Sequence, residues 1–212
     1  GVQHFKATCA TLASNPHPAL ERVVAWGRLR DRKRYAVIEL PSGPSLEDAL
    51  ASGVGSQEIG TLVVRTLSAL AHLHALGLSH GELSARALVL PRGIVALATL
   101  SDVMLVPPSL VASEQSWPSV QPADASHLAP ERVRAALGPS AEADVFALGC
   151  VFYRLVTGTL PFAAAGVVAS FLRVLYDEPA PASELEDELL RRLDAAARAM
   201  LAKDPSHRPS AR

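Results

Sequence analysis

The sequence has few aromatic residues, almost no net charge and only two cysteines. Aromatic side chains make up 5% of its 212 residues, and the formal net charge is −1 at pH 7. A nearly neutral chain without a basic cluster gives no electrostatic reason to expect nucleic acid or an anionic membrane as a partner. The hydrophobic content of 49% predicts a globular protein, with one large or lobed domain and a sizeable core.

Cys9 and Cys150 are far apart and form no CxxC motif, so we expect no disulfide framework, and a buried free thiol at Cys150. The most apolar stretch, residues 160–175, contains Pro, Gly and Arg and is too short to span a bilayer. No secretory signal opens the chain. We therefore predict a cytoplasmic protein, or a cytoplasmic piece of a longer one, since both ends of the sequence look cut.

Hydrophobic periodicity and turn residues divide the chain into a short strand-containing start and a mostly helical remainder. A charged turn is expected between the two strands, and Ser45 with Asp48 forms a capping-box pattern. The predicted helices cover residues 4–14, 46–51, 59–76, 143–157, 164–176 and 185–202, and the predicted strands cover residues 23–29 and 35–40. Residues 87–90 and 94–98 are expected to pair as a small hairpin, followed by a loop over residues 101–127.

Five short motifs follow one another along the chain: YAVIEL with SGPSL at residues 35–46, HLHALGLSH at 72–80, APE at 129–131, DVFALGC with TGTLPF at 144–162, and LAKDPSHRP at 201–209. Their order and spacing resemble the eukaryotic-type (Hanks-type) Ser/Thr protein kinase family over nearly the whole chain. Each motif alone is weak, whereas the series is specific. The resemblance implies an α+β protein-kinase-like fold with a mostly helical C-lobe.

The resemblance also implies a division of the chain and a set of architectural contacts. Residues 1–40 correspond to a truncated N-lobe of one helix and two strands, and residues 41–212 to the helical C-lobe, within one kinase-like domain. Glu131 and Arg208 are implied to form an ion pair that fixes the activation segment to the helical lobe. Asp144 is implied to accept backbone N–H groups of the catalytic loop.

The catalytic loop keeps the family's packing residues and loses most of its reactive ones. The family pattern H-R-D-L-K-P-E-N aligns without gaps to HGELSARA, residues 80–87, so Glu82 replaces the base aspartate with a longer carboxylate. Gly81 replaces the arginine that contacts an activation-loop phosphate, and Ser84 replaces the lysine that contacts the γ-phosphate. Ala87 replaces the metal-binding asparagine and offers no ligand atom.

Two residues compete for the position of the metal-binding aspartate of the D-F-G motif. The gap-free alignment of VALATLS, residues 95–101, places Thr99 there, whereas Asp102 keeps the carboxylate but requires a short insertion. We favour Thr99. Asp102, if aligned, still lacks the following glycine and the partner asparagine.

The sequence also lacks groups that bind the adenine and the phosphates of a nucleotide in the family. In the family, the carbonyl at the position of Glu39 and an N–H two residues later bind adenine, but the later residue is Pro41, which has no N–H. The helix that carries the glutamate partner of the phosphate-binding lysine contains no acidic residue, and the alignment places Thr8 near that position.

We therefore expect a pseudokinase that works as a binding or regulatory module with a protein partner and without ATP or a metal ion. The alternative is a divergent Ser/Thr kinase that transfers the γ-phosphate of ATP with Glu82 as the base and Asp102 as the Mg²⁺ ligand, its remaining motifs lying upstream. A third possibility is a degraded domain within a larger protein. Trp117 is either an exposed anchor for a partner or a core residue.

Overall fold

A computed structural model describes residues 2–31, 33–39, 43–51, 56–90, 104–105, 125–135, 138–182 and 185–211. The N-terminal part contains helix α1, Val2–Ser14, and an antiparallel ribbon of β1, Val23–Arg28, and β2, Arg34–Ile38. These three elements agree with the predicted ones. The segment with Pro16 and Pro18 follows the end of α1, as expected of residues that cannot continue a helix.

The ribbon has the charged turn that the sequence predicts. The backbone N–H of Leu29 donates to the carbonyl of Lys33 across the turn at 2.8 Å, and Lys33 and Asp31 form an exposed ion pair. One residue of the ribbon, Val23, is buried against the core, whereas Val37 is 47% exposed. Trp26, Ala36 and Ile38 are partly buried and pack against the same core, so the ribbon contacts the core through one face.

Most of the described residues belong to a helical part. Its helices are α2, Leu46–Leu50; α3, Ser56–Ala75; α4, Pro130–Ala135; α5, Ala141–Thr157; α6, Val167–Tyr176; and α7, Glu188–Met200. All but α4 were predicted, and the Ser45–Asp48 capping box is present at α2. The sequence carried one sign of α4, since Pro130 occupies the first helical position, where proline is favoured.

Helix α5 forms the centre of the helical part. Ser140 caps its first turn, and every residue from Ala143 to Tyr153 is buried. Gly149 allows α7 to approach closely, since a Cβ atom at this position would lie 2.9 Å from the Cβ of Met200. The predicted central, fully buried helix is confirmed.

The predicted hairpin partner was wrong. Strand β3, Leu88–Val89, pairs antiparallel with β4, Met104–Leu105, and the other edge of Val89 forms a bridge with Ser45. Both edges of Val89 are therefore occupied, and residues 94–98, the predicted partner, lie outside the described residues. The prediction chose the nearest apolar run in the sequence, whereas β3 uses a later one.

Cys150 is a buried free thiol, as predicted, and Cys9 is also free and buried. Burial raises the pKa of both thiols, which keeps them protonated and unreactive.

Within the described residues, no helix combines the length and the apolar character needed to cross a bilayer.

Glu21 is a buried carboxyl group between α1 and β1. Its side chain is almost fully buried, and its Oε2 atom has no hydrogen-bond partner among the described residues. Burial raises the pKa of this carboxyl group from 4.5 to about 7. Between these two pH values the folded protein holds a proton at Glu21 that the unfolded chain has released.

This difference predicts that stability falls as the pH rises. The free energy of unfolding should drop by about 3 kcal/mol between the unfolded and folded pKa values of Glu21 and then level off. Glu21→Gln removes the titration, so the variant should be the more stable protein at about pH 8 and similar to wild type at about pH 5. Urea unfolding of both proteins across this range measures the effect. An identical slope in the two proteins contradicts the assignment.

Candidate functional site

The loop from Ser79 to Ala87 connects α3 to β3 and carries the candidate catalytic residues. Its buried side chains are His80, Leu83 and Ala85, whereas Glu82 and Arg86 are exposed. A short 3₁₀ turn, Ala85–Ala87, leads directly into β3. His80 and Leu83, which occupy the family's packing positions in the alignment, are therefore among the residues that fix this loop to the core.

Asp144 in the first turn of α5 binds the backbone of this loop. Its Oδ2 atom accepts a hydrogen bond from the backbone N–H of His80 at 2.6 Å, and its Oδ1 atom accepts one from the N–H of Gly81 at 2.7 Å. Nε2 of His74 lies 3.0 Å from Oδ2 and donates to it, because an ionised carboxylate can only accept. This confirms the contact that the kinase resemblance implied for Asp144.

Gly81, in the position of the family's arginine, has a backbone conformation that disfavours side chains. Its φ angle is +82°, and a Cβ atom built on it would lie 2.9 Å from Cγ of Pro139. Nη1 of Arg132 donates to the Gly81 carbonyl at 2.6 Å. The loop is thus closed around a glycine, with an arginine from α4 bonded to its backbone.

The predicted pair between Glu131 and Arg208 is present and bidentate. Two guanidinium nitrogens of Arg208 donate to the two carboxylate oxygens of Glu131, both at 2.8 Å. The same guanidinium donates to the carbonyls of Ala202, Glu142 and Lys203. The Arg208 side chain is fully buried, so this pair ties α4 to the C-terminal segment away from water.

The two candidate site residues, Glu82 and Glu39, lie on separate elements. Glu82 is exposed on the loop, and its N–H lies 3.4 Å from Nδ1 of His80. Glu39 is exposed after β2, its N–H donates to the Arg22 carbonyl at 2.9 Å, and its carboxylate lies 3.6 Å from the Arg22 guanidinium. No hydrogen bond or ion pair joins Glu82 to Glu39 within the described part of the chain. Pro41, Thr99, Asp102 and Trp117 lie outside it.

A cleft of about 320 Å³ opens beside this loop, and the sequence did not predict it. Its wall includes Ser84 and Arg86 of the loop, together with Glu47 of α2 and Arg154 of α5. Glu47 and Arg154 form a bidentate ion pair at 2.5 and 2.9 Å, although 107 residues separate them. No local sequence pattern indicates a contact over such a separation.

No group of three or more His, Cys, Asp or Glu side chains suited to hold a metal ion occurs among the described residues.

The sequence profile of the protein kinase domain matches residues 9–212. This chain belongs to the protein kinase family.

Bacterial relatives of this kinase domain are Ser/Thr protein kinases. It is 27% identical over 215 residues to the serine/threonine-protein kinase PknB of Mycobacterium leprae, covering 96% of this chain and 33% of that protein. It is 28% identical over 189 residues to PknA of Mycobacterium tuberculosis, covering 85% of this chain and 42% of that protein. The chain thus spans less than half the length of these relatives.

The fold agrees with solved kinases. The structure of Rad53 residues 1–466 in complex with AMP-PNP matches 98% of this chain and 52% of that chain, with a TM-score of 0.74 and 20% sequence identity. This likeness establishes the fold. The predicted α+β kinase-like architecture with a mostly helical C-lobe is confirmed.

Proposed function

We propose that this kinase domain is a pseudokinase that acts as a binding or regulatory module for a protein partner. One observation carries the proposal: the catalytic loop keeps its structural support while its reactive positions are replaced. Asp144 binds the loop backbone, and His80 and Leu83 pack it into the core. The positions that contact phosphate and metal in the family hold Gly81, Ser84 and Ala87.

The residues present do not fit Mg²⁺-ATP. The side chain of Ala87 has no atom that can bind a metal, and Ser84 has no positive charge to stabilise a transferred phosphoryl group. We therefore propose that no nucleotide or metal cofactor serves this domain, and we assign no chemical step to one.

We further propose a cytoplasmic location. Two free thiols, Cys9 and Cys150, are both buried, and a chain without disulfides suits a reducing compartment. The net charge of the chain is only −1, which favours a protein partner over nucleic acid.

The competing function is a divergent Ser/Thr kinase, and one observation favours it: Glu82 keeps a carboxylate, exposed to solvent, at the position of the catalytic base. Phosphoryl transfer from γ-labelled ATP to a generic Ser/Thr peptide and to the protein itself separates the two functions. We expect no transfer above a protein-free control, and no difference between wild type and Glu82→Gln. Transfer that Glu82→Gln abolishes would establish the kinase instead.

A further inference from the structure

The cleft beside the catalytic loop combines positive charge with an apolar edge. Its charged side chains are Arg86, Arg154 and Glu47, so arginine exceeds glutamate by one. Ser84 and Thr159 add hydroxyl groups, and the imidazole of His127 also lines it. Leu160 and Ala163 form its apolar edge.

The two arginines differ in what they contact. Arg154 is committed to Glu47 through two hydrogen bonds. Arg86 is exposed and makes no hydrogen bond or ion pair with any other residue that the structure describes. The charge of Arg86 acts on the carboxylates of Glu47 and Asp48, but its guanidinium donors are not used by either, so they are the ones that a ligand can accept from.

Arg86 is close enough to the ion pair for its charge to matter. Hydrogen bonds from Arg154 lower the pKa of the Glu47 carboxyl group, burial partly offsets this effect, and the charges of Arg154, Arg86 and His127 lower it further. Three cationic or ionisable groups thus act on one carboxylate, and a second carboxylate would find a favourable field in the cleft.

The backbone of Arg86 is held in place by the residues on either side of it. The residue lies in the 3₁₀ turn Ala85–Ala87, between the buried residues Ala85 and Leu88. A guanidinium group on a fixed backbone loses less conformational freedom on binding than one on a mobile loop, and its planar donors match a carboxylate.

We propose that this cleft binds an acidic side chain, aspartate or glutamate, in an extended segment of a partner protein. The carboxylate pairs with Arg86 and accepts from the Ser84 or Thr159 hydroxyl group, and an adjacent apolar residue packs on Leu160 and Ala163. This inference rests on the proposed role as a binding module. Its failure would leave that role intact, because a partner can bind elsewhere on the domain.

A peptide array with one fixed central residue and mixed flanking residues tests the proposal. The labelled full chain is applied to sets in which the fixed residue is aspartate, glutamate, glutamine, lysine, leucine or phosphoserine. We expect aspartate or glutamate sets to capture the chain about tenfold better than the glutamine set. Capture should weaken as salt is added, since the Arg86 contact is exposed to solvent.

Two variants of the exposed Arg86 provide the internal test. Arg86→Ala should lower capture on acidic sets about tenfold, and Arg86→Glu should move the preference to the lysine set. Arg192→Ala, which removes another exposed arginine on α7, should leave capture unchanged. The change of preference is a gain of binding, which an unfolded variant would not produce.

Several results would overturn the proposal. Equal capture on the glutamate and glutamine sets, absence of capture on every acidic set, or an unchanged profile in Arg86→Glu each contradicts it. An equal loss in Arg192→Ala points to nonspecific charge attraction and also overturns it. Preferential capture by phosphoserine over both carboxylate sets would reassign the cleft to a phosphorylated segment.

Discussion

Glu131→Ala should lower the free energy of unfolding by about 3–5 kcal/mol. The variant leaves the Arg208 guanidinium fully buried without its counter-ion, and an uncompensated buried charge is one of the most destabilising changes that a single substitution can cause. The carbonyls of Ala202, Glu142 and Lys203 still accept from Arg208, but carbonyl groups do not neutralise its charge. Urea unfolding at neutral pH measures the loss.

An exposed ion pair provides the control for Glu131→Ala. Arg173 on α6 and Asp177, the residue directly after this helix, form an ion pair at 2.9 Å, and both side chains are about half exposed. Asp177→Asn should change stability by no more than about 0.5 kcal/mol, since water replaces most of such a contact. A loss below about 1 kcal/mol in Glu131→Ala would mean that water reaches Arg208. It would contradict the conclusion that the Glu131–Arg208 ion pair is buried and stabilises the fold.

Gly81→Ala should destabilise the protein by about 2–4 kcal/mol. Two costs combine at this position: the left-handed backbone at φ +82° disfavours any side chain, and the new Cβ atom would lie 2.9 Å from Cγ of Pro139. An arginine, the residue of active family members at this position, starts with the same Cβ atom. The loop conformation therefore opposes a simple reversion to the family's motif.

Gly77 provides a matched control, because it shares the backbone conformation without the contact. Its φ angle is +70°, and no atom lies within 4 Å of a Cβ atom built on it. Gly77→Ala should therefore lower the free energy of unfolding by about 1 kcal/mol, the cost of placing a side chain on a left-handed backbone. Thermal unfolding of both variants, and of Gly81→Ala combined with Pro139→Ala, separates the two terms. Equal losses at Gly77 and Gly81 would show that Pro139 imposes no steric limit.

The sequence predicted the fold well where the motifs are architectural. Glu131, Asp144 and Arg208 make contacts that follow from the family resemblance, and helices such as α5 follow from hydrophobic periodicity alone. The prediction succeeds there because the segment is apolar on nearly every side, which favours a helix buried in the core.

Contacts between distant segments were not predictable in the same way. The pairing of Leu88 with Leu105 was missed, because a two-residue strand carries too little pattern to identify its partner. The Glu47–Arg154 pair, and with it the cleft near Arg86, joins residues that only the folded chain brings together. Likewise, the sequence identifies Gly81 as a replaced arginine, but the contact with Pro139 requires the backbone geometry.

Calorimetric titration of the full protein with Mg²⁺-ATP tests whether the catalytic loop keeps its architecture without binding nucleotide. Ala87 lacks a metal ligand and Ser84 lacks a charge for phosphate, so we predict no saturable binding up to millimolar nucleotide, with or without Mg²⁺. Saturable, Mg²⁺-dependent binding at micromolar nucleotide that Asp102→Ala abolishes would contradict this account.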